Sequence, residues 1–109
     1  MPASPLGEFE QLVLLAILQQ GETAFGLEVR GEIERSAHRK VSRGAFYTTL
    51  DRLEKKGYLT WEQSIPADGA RTAPLRKFRV TPAGLVALRA SKRALQALWR
   101  GLDEILEDV

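Results

Sequence analysis

Apolar side chains in residues 6–20 recur at helical spacing and stop at Gly21, which predicts a first helix there. They cover most of its circumference, so it should be buried on more than one side, in the domain core and against a second subunit. A second helix is predicted over 26–37, with Thr23 as its cap and Leu27, Val29, Ile33 and Ala37 as its inner stripe. Arg30, Glu32, Glu34 and Arg35 are left for solvent. After the polar His38-Arg39-Lys40, Ser42 is a good N-cap and Gly57 a good C′ residue for a third helix. Phe46, Leu50 and Leu53, spaced i, i+4, i+7, face its core side, with Tyr47 one position off that stripe. Tyr58–Ile65 and Arg76–Thr81 are strand-forming, and Pro66–Pro74, with Asp68-Gly69 and two prolines, marks the loop between them. Thr81 as N-cap and Pro82 at N1 then open a long helix predicted to run close to Val109. Leu85, Leu88, Lys92, Leu95, Trp99, Leu102, Leu106 and Val109 alternate by three and four along it, a coiled-coil-like seam.

Three helices, a hairpin and a long last helix predict a mainly α winged helix-turn-helix over 1–81, with a dimerisation helix over 82–109, the two forming one compact unit. In this arrangement the third helix enters the major groove of double-stranded DNA and the hairpin reaches a neighbouring groove or the phosphates. Ser42, Ala45, Thr48 and Thr49 are short enough to allow close approach, and Arg43 and Arg52 are long enough for phosphates or guanine edges. Arg71, Arg76 and Lys77 would hold the backbone from the wing. Tyr47 either gives its hydroxyl to a phosphate or packs as a half-buried aromatic. The last helix has more apolar surface than one domain covers. Two-fold pairing through Leu85, Leu88, Leu95, Trp99, Leu102 and Leu106 would cover it and would suit a palindromic operator. Trp99 would then lie near its symmetry mate, as an anchor in the dimer core or as one wall of a slot for a flat aromatic ligand.

Composition adds exclusions. The 109 residues suffice for one domain, and 44% hydrophobic with 28% charged residues is a folded composition. No apolar run approaches the ~20 residues of a membrane span, and no basic leader opens the chain, so the expected location is cytoplasmic. The absence of cysteine and the single histidine, His38, exclude a disulfide framework and the usual zinc sites. No nucleophile–base set and no phosphate loop is readable, so neither catalysis nor a cofactor is expected. The net charge is only +2, but residues 30–56 carry eight basic and four acidic side chains, and 71–80 carry four basic and no acidic ones. Such clusters suit a polyanion, though ordinary solvated surface looks the same on charge alone. The alternative to DNA binding is a winged helix that docks proteins instead; it should expose apolar residues on the third helix.

Four segments carry a resemblance. Leu6-Gly7-Glu8-Phe9-Glu10, Ala24-Phe25-Gly26-Leu27-Glu28, the run from Val41 to Leu59 with its Tyr47 and Leu50-Asp51-Arg52-Leu53-Glu54, and Arg79-Val80-Thr81-Pro82-Ala83-Gly84 resemble the PadR family of transcriptional regulators. The short tail is similar to the subfamily with a single C-terminal dimerisation helix. The resemblance implies a homodimeric repressor whose DNA binding a small aromatic effector relieves. Phe25 stands where that family commonly has tyrosine, Lys77-Phe78 where it has a tyrosine pair, and Gly69-Ala70-Arg71 is looser than its usual tip.

Overall fold

The first helix, α1 (Glu8–Gln20), starts two residues later than the periodicity suggests, because Gly7 is extended and serves as its N-cap. Glu10 Oε1 accepts from the Gly7 N–H at 2.8 Å. Gly21, at φ +54°, ends the helix. The computed structural model describes residues 5–67, 69 and 73–109. Val13, Leu14 and Ile17 of α1 are buried, whereas Leu15 and Leu18 face outward.

Helix α2 (Gly26–Ala37) has the predicted bounds but not the predicted cap. Phe25 is the N-cap, and Thr23 instead closes the preceding turn, its hydroxyl donating to the Gln20 carbonyl at 2.8 Å. Nor does Leu27 belong to the inner stripe: it is 62% exposed, because Val29 and Ile33, with Ala37 packed against the core, set the inner face. Phe25 is buried and forms an isolated antiparallel bridge with Lys77. Two residues predicted to be solvated hold the turn after α2. Arg30 donates to the Val41 carbonyl at 3.1 Å, and Glu34 accepts from the Val41 N–H at 3.0 Å. His38 sits in that turn at φ +52°. Arg39 ties the turn back to α1, pairing with Glu8 at 3.1 Å and lying over the Phe9 ring.

Helix α3 (Arg43–Lys55) follows, capped by Ser42, whose Oγ accepts from the Ala45 N–H. Gly57, at φ +79°, takes the left-handed position that lets the chain turn into the hairpin. Strands β1 (Leu59–Ser64) and β2 (Leu75–Val80) pair antiparallel, with Trp61 opposite Phe78 and Glu62 opposite Lys77. Phe46, Leu50 and Leu53 of α3, Leu59 and Phe78 of the hairpin, and the inner faces of α1 and α2 form one core.

Helix α4 (Pro82–Trp99) is capped by Thr81 as predicted, but it does not continue to the C-terminus. Arg100 leaves helical geometry at ψ 125° and Gly101 takes φ +76°. A separate short helix, α5 (Asp103–Glu107), follows. Gly101 lies inside the predicted seam; with no side chain to hold it on the seam, it lets the backbone bend. Leu88 departs from the seam too, since it packs against the domain's own core. Beyond Ser91 every residue of α4 and α5 is exposed.

Candidate nucleic-acid interface

The outer face of α3 exposes Ser42, Arg43, Gly44, Ala45, Thr48, Asp51 and Arg52. Ser42 and Ala45 lie on it through the capping turn; the Ser42 oxygen accepts from the Ala45 N–H, which leaves its hydroxyl proton available to an outside acceptor. Thr49 is not on this face. It is buried at 4% exposure, and its hydroxyl donates back to the Ala45 carbonyl at 2.8 Å. Position 49 follows Phe46 by three and precedes Leu53 by four, so it shares their side of the helix. Arg52 is exposed near the helix end, close enough to Glu10 for its charge to lower that carboxyl's pKa.

Tyr47 joins the helix to the wing. Its ring meets Phe46 edge-on at 5.2 Å, and the guanidinium groups of Arg43 and Arg76 lie 5.7 and 5.6 Å from its centroid. Its hydroxyl occupies the space that a side chain at Gly26 would need, at the start of α2. Tyr47 is therefore a half-buried ring, anchored against Phe46 and Gly26 on one side and flanked by cations on the other. Arg76 also lies over Trp61 at 5.2 Å and Phe78 at 5.5 Å. A guanidinium held by its faces against aromatic rings keeps its N–H edges free to donate. Arg43, Gly44, Tyr47, Asp51 and Arg76 line an open groove of about 570 Å³ between α3 and the wing. Gly26, Trp61 and Phe78 were absent from the residues expected here. The period-two alternation of the strands, which puts residues 76 and 78 on one face of β2, was the signal for the last two.

Lys77 is not free to hold a backbone. It is buried at 9% exposure, its Nζ 2.9 Å from Glu22 and 3.9 Å from Glu62. It points to the face opposite Arg76, towards Glu22 and Glu62, and the Lys77 ammonium holds the Glu22 carboxyl below its usual pKa. Arg79 pairs with Glu62 at 3.2 Å. The basic density of β2 is therefore largely spent on acids of this chain; Arg76 is in no ion pair among the described residues. Arg71, expected at the wing tip, lies outside the described residues.

Of the expected dimer contacts, Leu85, Leu95, Trp99, Leu102 and Leu106 are all between 39% and 49% exposed. No helix among the described residues is long and apolar enough to cross a membrane, and no group of three His, Cys, Asp or Glu is placed to hold a metal ion.

The sequence matches the model of the transcriptional regulator PadR-like family over residues 14–90. This chain belongs to the PadR-like family. It is 45% identical over 69 residues to transcriptional regulator Rv3488 of Mycobacterium tuberculosis, across 63% of this chain and 60% of that protein. The chain thus spans about 60% of the length of the curated relative it matches. Its fold is similar to a PadR family transcription regulator from Clostridium difficile R20291, with a TM-score of 0.70 at 16% identity over 90% of this chain and 98% of that one. A PadR family regulator from Eggerthella lenta DSM 2243 gives a TM-score of 0.64 at 25% identity, over 92% and 87% of the two chains. The PadR-like family is one of transcriptional regulators and not of enzymes, and its winged helix accounts for the hairpin that brings Arg76 beside Tyr47.

Proposed function

We propose that this chain is a sequence-specific double-stranded DNA-binding repressor, acting as a homodimer on a palindromic operator. Residues 1–81 read the DNA and 82–109 pair the copies. The observation that carries this reading is the open groove where Arg43 and Arg76 flank Tyr47 at the start of α3. Ser42, Arg43, Ala45, Thr48 and Arg52 enter the major groove, Tyr47 and Arg76 contact the phosphates beside it, and Arg71 extends that contact from the wing. The protein-docking alternative calls for exposed apolar residues on α3; among the described residues, no exposed large hydrophobic lies there. Two-fold pairing sets the two α3 helices about 34–36 Å apart.

Fluorescence anisotropy across a salt series tests this, with one duplex selected in vitro from a random pool and one of random sequence. Arg43→Ala is expected to weaken the selected duplex about tenfold (~1.4 kcal/mol). Arg71→Ala should flatten the slope of log affinity against log salt by about 0.9 on both duplexes. Lys77→Ala should leave that slope unchanged, because its ammonium is already paired. Failure of the wild type to prefer the selected duplex, or an unchanged affinity in Arg43→Ala, would overturn the reading.

We further propose that the two Trp99 indoles flank a slot in which a planar aromatic effector binds and loosens DNA. The support is a half-exposed indole on a stripe that needs a partner. Linkage requires DNA to loosen the effector by the same factor. Planar phenolic or polycyclic compounds should quench tryptophan fluorescence in Trp61→Phe but not in Trp99→Ala; equal quenching in both variants contradicts the slot.

A further inference from the structure

The last part of the chain carries its charge in two blocks. Arg89, Lys92, Arg93 and Arg100 lie on α4 or directly after it, and Asp103, Glu104, Glu107 and Asp108 lie on α5 or directly after it. All eight are exposed, and none of them takes part in an ion pair among the described residues. Elsewhere the exposed acids Glu8, Glu22 and Glu62 are paired, and the unpaired ones among the described residues, such as Asp51 and Glu54, stand next to basic residues in sequence rather than in a block of one sign. The apolar side chains between the blocks are also uncovered: Leu98 is 75% exposed and Ile105 63%.

We propose that α5 of one copy docks on the basic stretch 89–96 of α4 in a second copy, in an antiparallel pairing whose two-fold axis passes between Leu98 and Arg100. The proposal rests on the homodimer reading above and adds its direction, its register and the role of α5. A two-fold interface is self-complementary, so each contact of residue i with residue j is repeated as j with i. A parallel pairing would lay the basic block on itself and the acidic block on itself. Only the antiparallel pairing about the charge boundary sets each block against its opposite. An axis between Leu98 and Arg100 brings Glu104 opposite residues 92–96 of the second copy and Glu107 opposite residues 89–93. Arg89, Lys92 and Arg93 are spaced i, i+3, i+4 and so present their charges together. The same pairing lays Leu102 opposite residues 94–98 and Ile105 opposite residues 91–95, which takes the apolar side chains on either side of the axis, Leu95, Leu98, Leu102 and Ile105, out of water. The bend at Gly101 gives α5 its own axis and separates it from the line of α4.

Sedimentation equilibrium of the full chain tests this with three charge variants, circular dichroism confirming helix content in each. The first carries Asp103→Lys, Glu104→Lys and Glu107→Lys; the second Arg89→Glu, Lys92→Glu and Arg93→Glu; the third all six changes. Exposed ion pairs are individually weak, but symmetry doubles each change. Each three-site variant should raise the dimer dissociation constant by about tenfold or more, and the six-site variant should return to within about threefold of wild type. The six-site variant should also fail to pair with tagged wild type, since mixed dimers place like charges together. Unchanged association in the three-site variants puts α5 outside the interface and overturns the proposal, while pairing through α4 and the DNA reading stand. A six-site variant that stays dissociated, or one that pairs preferentially with wild type as a parallel arrangement demands, overturns it too. A wild type that is monomeric at tens of micromolar (the mid-range of specific association) removes both the latch and the homodimer.

Discussion

Gly84→Ala is expected to destabilise the protein by about 2–3 kcal/mol, although Ala in place of Gly within an exposed helix ordinarily stabilises by about 1 kcal/mol. The sign reverses because of what lies against position 84. A Cβ there would run into the backbone carbonyl oxygen of Tyr58 and come within 2.8 Å of Val80 Cγ1. The Val80 methyl could yield by a rotamer change, but the Tyr58 carbonyl accepts from the Thr81 N–H at 3.0 Å and cannot move without breaking that bond. Thr81 Oγ1 accepts from the Gly84 N–H and donates to the Gly57 carbonyl at 2.6 Å. Gly84 thus keys the first turn of α4 into the segment that ends α3. Overpacking would pry α4 away from the end of α3. Urea unfolding at fixed protein concentration measures the effect, with Gly44→Ala as the control. No atom lies within 4 Å of a Cβ at Gly44, so that variant should gain from a few tenths to 1 kcal/mol. Equal or greater stability in Gly84→Ala would mean the junction adjusts freely and carries no constraint.

That junction also shows how far the sequence could be read. Its parts were legible singly, because each is a local signal: Thr81-Pro82 opens a helix, Gly57 closes one, and Ser42 caps α3 wherever the rest of the chain lies. The winged architecture followed from such punctuation and from apolar spacing. What could not be read was the partner of each charged side chain. Lys77 counted as a wing cation until Glu22, 55 positions earlier, came to lie against it. Glu34 is exposed as expected and Arg30 half-buried, but their bonds to Val41, 7 and 11 positions on, could not be read from either residue. Thr49 and Leu27 were misassigned for another reason. A helical stripe has fuzzy edges, and whether a borderline position is buried depends on which neighbour reaches it. The groove at Tyr47 was legible on α3 but not on the wing, since it exists only through the strand register that brings Arg76 over Trp61 and Tyr47.

Breaking the Glu10–Lys56 pair is the second large effect, and it should depend on pH. Glu10 is buried at 4% exposure on the first turn of α1, 46 positions from Lys56 at the end of α3. The Lys56 ammonium lies 2.9 and 3.1 Å from the two carboxylate oxygens. Burial by itself raises the Glu10 pKa. The Lys56 hydrogen bonds, the Gly7 N–H and the charges of Lys56 and Arg52 outweigh it and hold the carboxyl below its ordinary value of 4.5. A depressed carboxyl pKa contributes stability that is fully present above the unfolded value and lost as pH falls through the folded one. Glu10→Gln should therefore cost about 2 kcal/mol at neutral pH, and this difference from wild type should shrink as pH drops below 4.5. Lys56→Met should cost more, about 3 kcal/mol, because it strands a buried carboxylate. Combining the two changes should cost less than their sum, since the stranded charge is then gone. Urea titrations from neutral pH into the acid range, at one protein concentration, separate these outcomes. A Glu10→Gln deficit that persists undiminished in acid would assign the loss to packing rather than charge. Strict additivity of the two substitutions would mean the ammonium and the carboxylate do not act as a pair, and that α1 and the end of α3 are held together by apolar contact alone.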